Sequence, residues 1–230
     1  MDINYKAKSS YCGEIAIKYE TERKKNWLFR AVWRNEFKHI SYIFNHLPKG
    51  SLILDIPCGT GRFIPFSVKS GFRIIGSDIS LDMISQGLLK NFPKPFKKFV
   101  VADAEYLPFK NNSVDFVLSM RFLRHLPPEV KPQVLFEFSR VCRYGIIISV
   151  PLFDNFTWAH SFLSWLRRNF AKRKKVMKNY PITGVEFEKL VAHIGLRLKY
   201  IKKVLTGFRA NICFLIPDKQ SEKTQEKRFF

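Results

Sequence analysis

Leu52-Ile53-Leu54-Asp55-Ile56-Pro57-Cys58-Gly59-Thr60-Gly61-Arg62-Phe63 is the stretch that decides how this chain folds. An unbroken apolar run ends in a carboxylate, a turn with two glycines follows, and a helical pattern starts at Arg62. Apolar residues at every position, instead of every second one, suit a strand buried on both faces of a parallel sheet. Glycines just after such a strand let a ligand approach the backbone, and the next helix presents its N-terminus to polar ligand groups. A nicotinamide fingerprint would need a third glycine three residues after Gly61, where Ile64 stands, and no Walker lysine follows. The dinucleotide and P-loop readings are therefore weak.

Working outward, four more short apolar runs occupy 72–76, 99–102, 114–119 and 145–150, separated by helical patterns over 62–70, 81–89 and 129–141. Strand alternating with helix predicts a doubly wound α/β domain. Upstream, Trp27, Trp33, Phe37, Ile40, Phe44 and Leu47 recur at helical spacing between Glu20 and Leu47, and Pro48 and Gly50 end that helix. Downstream, an insertion over 153–180 interrupts the alternation. Thr183 and Glu186 then form a capping-box pattern opening a helix from Gly184 to Ile194, which stops at Gly195. Runs from Leu196 to Leu205 and from Arg209 to Ile216, joined by Thr206-Gly207-Phe208, predict a terminal hairpin. The expected fold is α/β: a doubly wound, seven-stranded, mostly parallel, Rossmann-like sheet with a C-terminal antiparallel hairpin, followed by a polar tail over 217–230.

The 230 residues carry 40 Lys plus Arg against 19 Asp plus Glu, a formal net charge of +21. With 46% hydrophobic and 15% aromatic residues there is ample material for a core, which excludes disorder of the whole chain. Half of the excess charge lies after residue 150, and Trp27, Trp33, Trp158 and Trp165 all lie outside 51–150, so the flanks read as specificity apparatus around a central engine. Cys12, Cys58, Cys142 and Cys213 show no paired spacing, which argues against a metal site or a disulfide framework. No apolar run is long enough to span a bilayer, and the segment MDINYKAKSSYCGEI lacks a signal-peptide pattern, so a cytoplasmic location is expected.

Four motifs in order, LDIPCGTGRF, GSDISLDM, ADAEYLPFKNNSVDFVLS and RFLRHL, resemble the class I S-adenosylmethionine-dependent methyltransferases, in particular the branch of ubiquinone and menaquinone biosynthesis. The resemblance runs from about Tyr19 to Ile216 and implies S-adenosyl-L-methionine as cofactor. It implies that Asp55 meets the methionine ammonium and that Gly59 and Gly61 line its path. Asp78 then takes the ribose hydroxyls, Asp103 the adenine amino group and Ala104 a backbone contact, while Ile79 and Met83 pack on the ribose and adenine. Ser119, closing the third motif, falls on the same side. Pro57 departs from the family, which usually has glycine there; proline fixes φ and lacks an N–H. Residues 1–50 are expected to cap the acceptor side of a catalytic domain over 51–216.

His125 reads either as a packed helix residue or, since it follows the fourth strand where ligands meet α/β sheets, as the base or orienting donor for the acceptor, with Arg121 holding an anionic group. Asp115 reads as structural. No metal is expected. The residues after the fourth strand, SMRF, lack the Pro-Pro-aromatic pattern of amino-methylating nucleic-acid enzymes, and neither Cys58 nor Cys142 sits in a 5-methylcytosine motif. The expected acceptor is a small or lipid-like molecule; an RNA or protein acceptor and a non-catalytic, membrane-associated, cofactor-binding protein are the rivals. In the insertion, Trp158, Phe162, Trp165, Leu166 and Phe170 share a helical face, with Arg167, Arg168, Lys172, Arg173, Lys174 and Lys175 at one end. That pattern suits a lid over the active site, a helix docked peripherally on the anionic inner membrane surface, or a basic cleft for an anionic acceptor or nucleic acid.

Overall fold

The computed structural model describes residues 11–17, 27–94, 96–153, 179–204 and 210–218. Helix α1 (Trp27–Asn45) precedes β1 (Leu52–Asp55), α2 (Ile64–Lys69), β2 (Arg73–Asp78), α3 (Leu81–Leu88), β3 (Phe96–Val101) and β4 (Val114–Ser119). A single 3-10 turn (Leu123–His125), α4 (Lys131–Val141), β5 (Cys142–Val150), β6 (Leu152–Phe153), β7 (Ile182–Thr183), α5 (Gly184–His193), β8 (Leu196–Val204) and β9 (Ala210–Pro217) complete the order.

The main sheet runs β3-β2-β1-β4-β5-β9-β8. The pairs among β3, β2, β1, β4 and β5 are parallel, while β9 is antiparallel to both β5 and β8. Chain order reverses between β1 and β4, and in open α/β sheets ligands bind at the carboxyl ends of the strands beside that switch. All six residues of β4 are buried, as a central parallel strand requires. One face is covered by α4 and α5 through Val134, Leu135, Phe138, Phe187 and Val191. The other is covered by α1 and α2, where Ile40, Ile43, Phe44 and Leu47 pack with Ile53, Ile64, Phe72 and Phe116. The C-terminal half of α1 is thus a layer of the domain itself.

Several boundaries differ from the sequence reading, each for an identifiable reason. Strand β3 starts at Phe96, not Phe99, because the edge position of β3 tolerates Lys97 and Lys98, which interrupt the apolar run. Strand β5 starts at Cys142, placing Gly145 inside it: a Cβ there would lie 2.6 Å from the Leu215 carbonyl oxygen and 2.7 Å from the Phe214 ring, so this glycine admits β9. The predicted cap on α5 is present, with Thr183 Oγ1 accepting the Glu186 N–H at 3.2 Å and Glu186 Oε2 accepting the Thr183 N–H at 2.9 Å. Gly195 ends that helix at φ +69°. The parallel pair β6–β7, at the two ends of the insertion, has no counterpart in the sequence reading, since two residues are too few to show a period. The aromatic and basic residues of the insertion over 154–178, the connection over 205–209 and the tail beyond Asp218 lie outside the described residues. Among the described residues no helix is long and apolar enough to cross a membrane, and no group of side chains could hold a metal ion.

Candidate cofactor and acceptor site

Asp55 closes β1 at 1% exposure, and its Oδ2 has no hydrogen-bond partner among the described residues. Burial pushes its carboxyl up to about 8; neighbouring Arg62 opposes the rise and Asp78 adds to it. The turn that follows opens with a cis Ile56–Pro57 peptide. It is tied to both flanking strands, because the Ile56 N–H donates to Leu118 O at 2.9 Å and the Cys58 N–H to Ser77 O at 2.8 Å. Gly59 and Gly61 have φ of +56° and +77°, a region that disfavours any residue with a Cβ. A Cβ on Gly59 would lie 3.2 Å from the Met83 methyl, so Met83 packs under the turn. Lys90 Nζ holds the other side, donating to both the Thr60 carbonyl and Oγ1 at 2.9 Å.

Asp78 ends β2 one strand away. Its Oδ2 accepts the Gly59 N–H at 2.8 Å and its Oδ1 accepts the Ser80 N–H at 2.9 Å, so one carboxylate fixes the glycine turn and the start of α3 together. Burial raises its carboxyl, while the backbone N–H groups of Ser80, Gly59 and Ile79 pull the other way. Each oxygen keeps a lone pair for a further donor. Ser80 caps α3 by accepting the Met83 N–H at 3.2 Å and donates to Tyr11 O at 2.6 Å; Asp82 Oδ2 accepts the Gly13 N–H at 2.7 Å. Residues 11–17 therefore lie against the start of α3, beside exposed Ile79.

The Ala102 N–H donates to Asp78 O at 3.1 Å and brings the loop after β3 alongside. In that loop Asp103 Oδ1 accepts the Glu105 N–H at 3.0 Å, and the Ala104 side chain is buried in the core. Helix α4 fastens the loop from behind: Gln133 Nε2 donates to Glu105 O at 2.9 Å, Glu137 Oε2 accepts the Leu107 N–H at 2.7 Å, and Arg140 donates to Leu107 O and Phe109 O at 3.0 and 2.8 Å. Asp115 is structural, accepting the Leu52 N–H at 2.8 Å and pairing with Arg143 at 3.2 Å.

At the end of β4 and beyond it lie Ser119, predicted for the cofactor, and Arg121 and His125, predicted for the acceptor. Ser119 is fully buried, and its Oγ has no partner among the described residues. Arg121, at φ +60°, places its Nε 2.6 Å from Glu36 Oε1 of α1, and Arg62 Nη1 lies 3.5 Å from Glu36 Oε2. The Arg62 guanidinium lies 5.0 Å from the Trp33 ring centre and 4.3 Å from that of Phe63. Arg121 is thus already committed to a protein carboxylate through one nitrogen. His125 ends the 3-10 turn half-buried, its N–H donating to Phe122 O at 2.8 Å. Sequence reasoning missed Glu36 and the pairing of Arg62. The signal was a carboxylate inside the apolar stripe Trp33, Phe37, Ile40, where a solvated face would not place one.

The methyltransferase domain family matches the chain over residues 53–145. An uncharacterized protein of Methanocaldococcus jannaschii is 31% identical over 180 residues, 77% of each chain. The chain belongs to the class I S-adenosylmethionine-dependent methyltransferases. Demethylmenaquinone methyltransferase of Staphylococcus epidermidis is 34% identical over 117 residues, 50% of this chain and 46% of that one. The crystal structure of magnesium protoporphyrin IX methyltransferase from Synechocystis with bound SAH has the same fold at a TM-score of 0.71, with 16% identity over 90% of this chain and 97% of the other. The chain spans about half the length of several curated relatives it matches: 57%, 37% and 44% of three of them.

The residues present fit the methyltransferase cofactor. A buried carboxylate oxygen at Asp55 without a partner among the described residues suits an ammonium group, and two positive-φ glycines shape the turn beside it. A pH dependence follows. With its carboxyl raised to about 8, Asp55 is protonated in the free protein at neutral pH, whereas an ammonium partner requires the carboxylate. Binding therefore releases a proton below pH 8, and affinity should rise with pH by up to about tenfold per unit between roughly pH 5.5 and 7. Titration of S-adenosylhomocysteine across that range should show the slope in wild type and a flat, weaker profile in Asp55→Asn; a flat wild-type profile excludes the linkage.

Proposed function

We propose that the chain transfers a methyl group from S-adenosylmethionine to a small or lipid-like acceptor at the carboxyl edge of β1 and β4. The observation that carries the reading is the Asp55 oxygen left without a partner among the described residues, beside a glycine turn that Asp78 clamps. When bound, the cofactor supplies an activated methyl on a sulfonium. The chain's residues bind and orient: Asp55 takes the ammonium, Gly59 and Gly61 flank its path after Pro57, and Asp78 takes the ribose hydroxyls with its remaining lone pairs. Met83 and Ile79 pack against the ribose and adenine, Asp103 and the Ala104 backbone take the adenine edge, and Ser119 completes the floor. His125 orients the acceptor and receives its proton. The N-terminal half of α1, which carries Trp33 and Glu36 to this edge, caps the acceptor side.

A small acceptor agrees with the names of the quinone-precursor and porphyrin methyltransferases it resembles. A second reading, an RNA acceptor, is favoured by the net charge of +21. Incubation with methyl-labelled donor and fractionated cell extract tests both. Label in the organic or small-molecule fraction supports the first and label in RNA the second, while absence of S-adenosylhomocysteine binding by calorimetry removes both.

A further inference from the structure

We propose that Arg30, Arg34 and Lys38 of α1, joined by Lys202 of β8 and the stacked pair Tyr42 and Tyr200, form a track for single-stranded nucleic acid. The assignment goes beyond the methyl-transfer reading and holds whichever molecule takes the methyl. Arg30, Arg34, Lys38 and Tyr42 recur at every fourth position and are all exposed, so they form one row along α1 that rises about 6 Å per step. The three cations have no ion pair or hydrogen bond among the described residues. The single acid of α1, Glu36, is turned into the domain at 1% exposure and faces Arg121 and Arg62, and β8 has no acidic residue. Such a row works against the helix that carries it. Like charges four residues apart repel, and Arg30 in the first turn meets the positive end of the helix dipole. An anionic partner lying along the row removes both costs.

The row continues onto the sheet. The Tyr42 and Tyr200 rings stack with centres 5.3 Å apart and 23° between their planes, and Lys202, two residues further along β8, shares the face of Tyr200. Burial, then the charges of Lys38 and Lys202, lower the pKa of His39, so both cations reach the same patch of α1. The row thus leads from the first turn of α1 to the edge strand of the sheet and ends in an aromatic platform, of which Tyr42 is 47% exposed. Cations that follow a backbone, closed by aromatic rings, hold single strands without reading their sequence. A membrane suits the row less well. The apolar stripe of α1 is spent on the core, and among the described residues Tyr42 is the only large apolar side chain exposed on this helix, which leaves little to insert. An acidic protein shares the charge but not the stacking.

Binding of a fluorescein-labelled oligouridylate of about 12 nucleotides, within the usual range of single-strand site sizes, is followed by anisotropy on the full chain across a salt series. Arg30→Gln/Arg34→Gln/Lys38→Gln should weaken binding by a factor of about ten or more. The slope of log affinity against log salt should fall by about two, since each phosphate neutralised on a single strand contributes about 0.7. The control Lys98→Gln/Lys110→Gln/Lys189→Gln removes the same charge from exposed positions on β3 at the opposite edge of the sheet, the loop after it and α5 on the opposite face, and should cost less than about threefold. Tyr42→Leu should cost about fivefold with an unchanged slope. Should the triple variant of the row fail to fold, Arg34→Gln/Lys202→Gln is read instead, with an expected loss of about threefold or more. Equal losses in the row and control variants, an unchanged slope in the row variant, or an unchanged affinity in Tyr42→Leu overturns the proposal. So does displacement of the oligonucleotide by polyglutamate as readily as by unlabelled oligouridylate, which makes the row a surface for acidic proteins. Affinity for S-adenosylhomocysteine should stay within about twofold in the row variant; failure of wild type to bind it removes the methyl-transfer reading and leaves this assignment standing.

Discussion

Replacing Asp78 by Ala is expected to weaken S-adenosylhomocysteine binding by about 10²- to 10³-fold, or about 3–4 kcal/mol. Two losses combine. Charge-assisted hydrogen bonds to the ribose are each worth about 1.5–3 kcal/mol. The same carboxylate also holds the Gly59 and Ser80 N–H groups, so its removal loosens the glycine turn beside Asp55. Asp78→Asn should do little better, because an amide places an N–H against one of two backbone donors and can accept through only one atom. NAD should not compete with S-adenosylhomocysteine in either protein. Calorimetry with circular dichroism as a control for folding decides the matter: unchanged affinity in a folded Asp78→Ala protein removes Asp78 from the cofactor site.

The effect on turnover should be larger at His125. A positioned general base contributes about 10²- to 10⁴-fold, so His125→Ala should lower turnover with the acceptor by that order and leave S-adenosylhomocysteine affinity nearly unchanged. The split between turnover and cofactor affinity is what a packing role would not produce. Leu123, fully buried in the same 3-10 turn, anchors that segment in the core, so the variant should fold. Near-wild-type turnover would make His125 a packing residue.

Some of this site can be read from the chain because the relevant constraints are local. A buried strand ending in Asp55, positive-φ glycines two residues apart and a carboxylate at the end of β2 are each written within a dozen consecutive residues. The clamp between Asp78 and Gly59 spans 19 positions, yet sequence order already implies it, since parallel neighbours in a βαβ unit bring their carboxyl ends together. The ion group at Glu36 is different. Arg121 lies 85 positions away, and only the docking of α1 on the sheet brings the two together. Asp115 shows the limit from the other side: its structural role was legible, but its partners, the Leu52 N–H and Arg143, were fixed by sheet register and not by the turn preceding it.

The short parallel pair Leu152–Phe153 with Ile182–Thr183 brings the chain back to its point of departure, about 4.8 Å away. The return is fastened further, since the Tyr180 N–H donates to Arg124 O at 2.7 Å and Lys131 Nζ to Tyr180 O at 3.0 Å. For a segment whose ends are held in this way, doubling the length costs only about 0.6 kcal/mol in closure entropy. The span between Phe153 and Tyr180 can therefore be lengthened, shortened or exchanged at little cost in closure entropy. Because its return is stitched to the residue before His125, such an exchange would be felt first on the acceptor side, which makes this junction a place where one scaffold could diversify its substrates in evolution.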